Sequence, residues 1–138
     1  MKVTILFEPH FTNCVPTVNV QTSVDSQQIT VDHAAAYTVE LSTAHTDLLC
    51  VDFVNKCDVD DNWVEIKKVE LDDIDLQHFI FNGRFYPRYN PDWFAKQNPP
   101  PPMFYCPGTQ IRLGGQWQLP IKTPVYKTVL DFWINDER

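Results

Sequence analysis

The nine residues Asn55-Lys56-Cys57-Asp58-Val59-Asp60-Asp61-Asn62-Trp63 hold the densest set of hard oxygen donors in the chain. Asn55, Asp58, Asp60, Asp61 and Asn62 place five oxygen-bearing side chains between two apolar runs. Calcium takes six to eight oxygen ligands, and a short acidic loop supplies several of them, with backbone carbonyls adding more. The loop is not an EF-hand. Trp63 stands where the sharp turn needs glycine, and Val69 stands where a bidentate glutamate belongs. The alternative to a calcium site is a solvated acidic turn, for which Asp and Asn are ordinary residues. A second acidic turn, Leu71-Asp72-Asp73-Ile74-Asp75, has the residues of a type I′ hairpin.

Residues 79–105 carry the second constellation. They hold Phe79, Phe81, Phe85, Tyr86, Tyr89, Trp93, Phe94, Phe104 and Tyr105, half of the chain's 18 aromatic residues, beside the unbroken run Pro99-Pro100-Pro101-Pro102. Three uses fit these residue types. The segment could be a flap packed over an open end of the fold, with proline lowering its unfolded-state entropy. Tyr86, Tyr89, Trp93 and Trp117 could form a flat face for sugar rings, with Arg84 and Arg88 as its polar arms. Pro99 to Pro102 could form a stiff polyproline arm lying on a neighbouring molecule, with Phe104 and Tyr105 completing its contact surface.

Other chemistries find little here. Ser23, Ser26 and Ser42 are the only serines, and none sits in a nucleophile elbow. The four histidines are scattered and the four glycines make no phosphate-binding loop. Glycoside hydrolysis needs two carboxylates across a cleft, and eighteen acidic residues supply pairs without singling one out. The expectation is a protein that is not an enzyme and needs no cofactor, with calcium as the one candidate ion.

The chain has 138 residues and a net charge of −7. That length fits a single domain over 1–138 with its own core. The negative charge disfavours nucleic acid, which is bound through released counterions at Lys and Arg, and disfavours anionic membranes. Cys14, Cys50, Cys57 and Cys106 show no C-x-x-C spacing, so they are expected as free, mostly buried thiols, with a Cys50–Cys57 disulfide as the alternative. The N-terminal apolar run ends at Glu8-Pro9, too short for a signal peptide. The expectation is therefore synthesis in the cytoplasm without a leader.

Short alternating runs rich in Val, Ile and Thr give an all-β pattern. Residues 2–7 are a first strand. Within 27–42 a short strand and a small-residue turn precede a strand with Tyr37, Val39 and Leu41 on one face. Residues 46–56 are apolar on both parities, as a central strand would be. In 63–74, Val64 and Ile66 share one parity while Val69 and Leu71 share the other, so the spacing predicts a β-bulge at Lys67-Lys68. Asn90, Pro91 and Asp92 predict one short helix, set in a long aromatic and proline-rich loop over about 87–107. The closing runs, among them 126–134, read as further strands. Together these elements predict an antiparallel, jelly-roll-like β-sandwich.

Two resemblances rest on these residues. Residues 37–74 resemble the strand, acidic loop, strand core of calcium-dependent carbohydrate-binding modules attached to xylanases, with Asn55, Asp60 or Asp61, and Val69, Leu71 and Ile74 at the matching positions. Residues 78–134, with Tyr86-Pro87, Trp93, Gln97, Pro107-Gly108, Trp117, Leu119 and Thr123-Pro124-Val125, resemble the C-terminal half of small uncharacterised proteins of tailed bacteriophages. The Pro99–Pro102 run belongs to neither pattern. The second resemblance implies phage origin more than an activity, and the leading expectation is a non-enzymatic interaction module, an accessory structural protein of the phage particle (capsid decoration, neck, tail or baseplate), made in the host cytoplasm and carried in the virion. Its partners would be other phage structural proteins or its own copies, docking through the aromatic and proline segment. The first implies a calcium-dependent module whose partner is a glycan. A phage protein that binds a host protein inside the cell is the third reading.

Overall fold

The structure is a computed structural model that describes residues 1–32, 35–54, 62–106, 108–112 and 114–136. It is a β-sandwich of two antiparallel five-stranded sheets. The first sheet contains β1 (Lys2–Phe11), β4 (Tyr37–Ser42), β6 (Asn62–Leu71), β7 (Ile74–Asp75) and β9 (Gln110–Ile111). Its order is β4-β1-β6, with β7 and β9 pairing in turn along the far edge of β6. The second contains β2 (Thr17–Gln21), β3 (Ser26–Thr30), β5 (Thr46–Phe53), β8 (Arg84–Pro87) and β10 (Gly115–Lys122), in the order β3-β2-β5-β10-β8.

Alternation places the core. Val3, Ile5 and Phe7 of β1, Val39 and Leu41 of β4, and four residues of β6 face Val18 and Val20 of β2, Leu49, Val51 and Phe53 of β5, Phe85 of β8, and Trp117, Leu119 and Ile121 of β10. On β6 the ladder to β1 slips by one residue: Leu6 opposes Lys68 while Phe7 opposes Ile66. The unpaired Lys67 is the bulge that the change of parity predicts, and it allows Val64, Ile66, Val69 and Leu71 all to be buried. Asp72 and Asp73 both have positive φ, at 50° and 67°, as a type I′ turn requires. β5 is central, as its sequence predicts, but its second face is only partly apolar in use: Cys50 is buried and Leu48 is exposed.

Two expectations need correction. Residues 126–134 are not a strand. They lie in α2 (Val125–Asp136), a helix that packs against β10. The hydroxyl of Thr128 fixes its first turn, accepting from the Lys122 N–H and donating to the Lys122 carbonyl, each at 2.6 Å. The mixed parity of apolar residues in this run is a helical pattern, with i, i+4, i+7 and i+8 on one side. The cysteines also differ from expectation: Cys14 is disulfide-bonded, while Cys50 and Cys106 are free. No helix of the described residues is long and apolar enough to cross a membrane.

Candidate ligand face on the second sheet

The aromatic segment leaves and rejoins the edge of the second sheet. Phe85 and Tyr105 exchange both backbone hydrogen bonds, at 2.7 and 3.0 Å, so residues 86–104 form a closed excursion from β8. Within it, α1 (Pro91–Ala95) is capped by the Asn90 side chain, which accepts from the N–H groups of Asp92 and Trp93. The Tyr89 hydroxyl donates to the Pro102 carbonyl at 2.8 Å, tying the proline run to the start of the loop. The Tyr89 ring stacks on Trp93 at 5.6 Å and meets Phe94 at 5.5 Å. Burial pushes the Tyr105 phenol above its ordinary pKa, and the neighbouring Tyr89 adds to this. Pro99, Pro100 and Pro102 are exposed and Pro101 is half-buried.

Strand register then builds a face that composition alone does not show. On the outer side of the second sheet, Gln28, Asn19, Asp52, Gln116 and Tyr86 stand side by side across all five strands. Next to them runs Ser26, Gln21, Cys50, Gln118 and Arg84. Five side-chain amides therefore lie in two adjacent rows. The Gln118 amide donates to the Gln116 oxygen at 2.6 Å. The Asn19 side-chain oxygen is buried and has no hydrogen-bond partner among the described residues. Asp52 is the one carboxylate in the rows. Burial is the main influence raising the Cys50 thiol pKa, so this cysteine is a weak nucleophile.

Both rows end on aromatic surface at β8. Tyr86 meets Phe104 at 5.6 Å, and the Arg84 guanidinium lies 4.8 Å from the Phe104 ring centre. Arg88 bonds Asp52 and the Phe53 carbonyl, each at 2.5 Å, and so joins the loop to the rows. Gly115 on the intervening strand lets β8 approach closely, since a Cβ there would lie 2.4 Å from the Tyr86 backbone carbonyl oxygen.

The outer face of the first sheet is different in kind. There Lys67 pairs with Glu8 and Glu65, Lys68 with Glu70, and Lys2 with Glu40 and Asp73. Trp63 is covered on both sides, by His10 at 3.9 Å and Arg112 at 4.3 Å. A shallow pocket of about 190 Å³ lined by Thr4, Leu6, Thr38, Lys68 and Glu70 lies on this charged face.

Of the residues singled out in the sequence, Arg84, Tyr86, Arg88 and Phe104 border the amide rows. Tyr89, Trp93, Tyr105 and the prolines belong to the adjoining loop. Trp117 does not join them: it is 0% exposed, in the core, and its placement on a surface is corrected. The alternation Gln116-Trp117-Gln118-Leu119 carries the signal, because it gives Trp117 the parity of Leu119 and Ile121. The same alternation points Gln116 and Gln118 outward, although amide type alone marks nothing. Asn55, Asp58, Asp60 and Asp61 lie outside the described residues. Asn62 opens β6 opposite Phe11 and is fully buried. Among the described residues no group of three His, Cys, Asp or Glu side chains could hold a metal ion.

No family model matches this sequence, and no curated protein matches it. A solved structure described as vCBM60 in complex with galactobiose is similar to the chain, with 15% identity, a TM-score of 0.48, and coverage of 86% of this chain and 96% of that one. Galactobiose is the ligand of that protein.

Proposed function

We propose that the chain is a non-catalytic carbohydrate-binding module whose glycan lies across the outer face of the second sheet. The observation that carries this reading is the pair of in-register rows, amides through the middle and Tyr86–Phe104 at the end. A side-chain amide offers a donor and an acceptor on adjacent atoms, which suits the neighbouring hydroxyls of a sugar ring. An aromatic face suits the ring's apolar side. The ligand class is an uncharged polysaccharide, because Arg88 is engaged by Asp52 and Arg84 lies over Phe104. With Asp52 as the only carboxylate in the rows, a two-carboxylate hydrolysis has no second group there.

Affinity electrophoresis through gels containing single soluble polysaccharides, neutral and acidic, tests the proposal. The expected result is retardation by a neutral polysaccharide that Gln116→Ala and Tyr86→Ala each abolish, with melting temperatures close to the parent. Retardation by acidic polysaccharides alone, or by none, sinks it.

A second reading, docking on a protein partner through the loop, is supported by Met103, which is 79% exposed beside the exposed Phe104. Its setting in a tailed-phage particle rests on the sequence resemblance alone. Met103→Asp would remove such docking and leave glycan retardation unchanged.

A further inference from the structure

The C-terminal helix carries apolar surface on the side away from the core. Thr128 is buried and Val129 packs against the core cluster. Tyr126, Leu130, Trp133 and Ile134 are 62%, 46%, 59% and 51% exposed. Their spacing places them on one stripe of a 3.6-residue helix. The 3-10 helix Gln77–Asn82 packs against α2 and carries Phe81, which is also exposed. The four side chains of the stripe alone offer roughly 500 Å² of largely apolar surface, in the upper part of the range a lone soluble domain shows.

We infer that this stripe is a self-association surface and that its occupant is the same stripe on a second copy of this chain, antiparallel about a two-fold axis at Leu130. The spacing is self-complementary. With Leu130 against the partner's Leu130, Tyr126 falls opposite the partner's Ile134, and the large side chains alternate along the seam. Charge fits as well. Lys127 and Asp131 lie on one flank of the stripe, and in antiparallel helices the same flanks meet. Lys127 of each copy then comes beside the partner's Asp131, giving two unlike pairs related by the axis. Asp131 already lies 2.6 Å from Lys122, so its carboxylate sits between two ammonium groups in the dimer. A lipid surface is the poorer occupant, given the chain's net charge of −7. The area is somewhat below the roughly 800 Å² per partner of a standard stable interface, which makes the dimer reversible and concentration-dependent. This inference is independent of the glycan face.

Sedimentation velocity on the full chain across the micromolar range is the test. The expected result is a reversible shift from 16.1 kDa toward twice that mass. Leu130→Asp should weaken association at least about tenfold, because it buries an unpaired charge. Lys127→Asp should also weaken it, and the exchange Lys127→Asp with Asp131→Lys should restore it, which a merely unfolded variant could not do. Where Leu130→Asp lowers the yield of folded protein, Trp133→Gln serves instead. A monomer at every concentration overturns the inference, as does a dimer indifferent to Leu130→Asp and Trp133→Gln.

Discussion

Arg88 reaches past β10 to the Asp52 carboxylate on β5 and, with its second nitrogen, to the Phe53 carbonyl. One guanidinium thus holds the start of the aromatic loop against the central strand of the second sheet. Further ties are the Phe85–Tyr105 backbone pair at the base of the loop, the Arg88 backbone N–H donating to the Gly114 carbonyl at 2.9 Å, and the Tyr89 hydroxyl on Pro102. Because the Arg88 side chain is half exposed, the pair adds less than about 1 kcal/mol to global stability. Its effect is local.

Arg88→Ala should therefore leave the melting temperature nearly unchanged while freeing the loop. Lys96 lies in that loop and is exposed. Tryptic cleavage after Lys96, followed by mass spectrometry under native conditions, should accelerate several-fold in the variant. Equal cleavage rates would mean that the remaining ties hold the loop without the Arg88 side chain.

Asp47 points the other way in energetic terms. It is buried, yet its side chain accepts from the N–H groups of Ser23, Ala44 and Leu48 and from the Ser23 hydroxyl. Burial pushes the carboxyl up, and these four donors together outweigh it, so its pKa lies below the ordinary value of 3.8. A folded-state pKa below the unfolded one means stability that is present above pH 4 and lost as pH falls through the folded value. Asp47→Ala strands buried donors and should cost on the order of 1–3 kcal/mol at pH 7. Thermal melts from neutral to acid pH should show this difference narrowing below pH 4. A difference that stays constant with pH would show that the ionised carboxylate is not what matters.

Much of the sandwich can be read in the chain because its signals are local. The parity change between Ile66 and Val69 names the bulge, Asp72-Asp73 names the turn, and Asn90-Pro91-Asp92 names the short helix. The C-terminal helix cannot be read so easily. Its β-branched and aromatic residues suit a strand, and the Thr128 hydroxyl that docks it acts on Lys122, six positions away. The ligand face is still less visible. Asn19, Asp52 and Gln116 come from three strands far apart in sequence, and only register brings them together. A glutamine has no type-specific meaning until its neighbours across the sheet are known.

The Cys14 disulfide yields a test that separates folding from binding. Cys14 follows β1 and precedes β2, the link between the two sheets. Constraining a chain there should stabilise it by about 2–4 kcal/mol. Reductant should lower the melting temperature by several degrees and leave glycan retardation of the still-folded protein intact, since Cys14 belongs to neither amide row. Unchanged melting on complete reduction, verified by thiol count, would show that the link adds nothing to stability.

Trp117 gives the sharpest contrast between a core role and a binding role. Its indole lies against Gly83, where a Cβ would come within 2.2 Å of the indole nitrogen. Trp117→Ala empties a large core site and should cost about 3–5 kcal/mol. Gly83→Ala pushes the ring out of place and should cost about 1–3 kcal/mol. Both losses should appear in denaturant unfolding as lower midpoints, and at temperatures where each variant is folded, glycan retardation should persist. Tyr86→Ala should behave in the opposite way, losing retardation with its midpoint nearly intact. If Trp117→Ala instead removed binding without lowering the midpoint, the indole would have to be at the surface, and the packing of β10 against the core described above would be wrong.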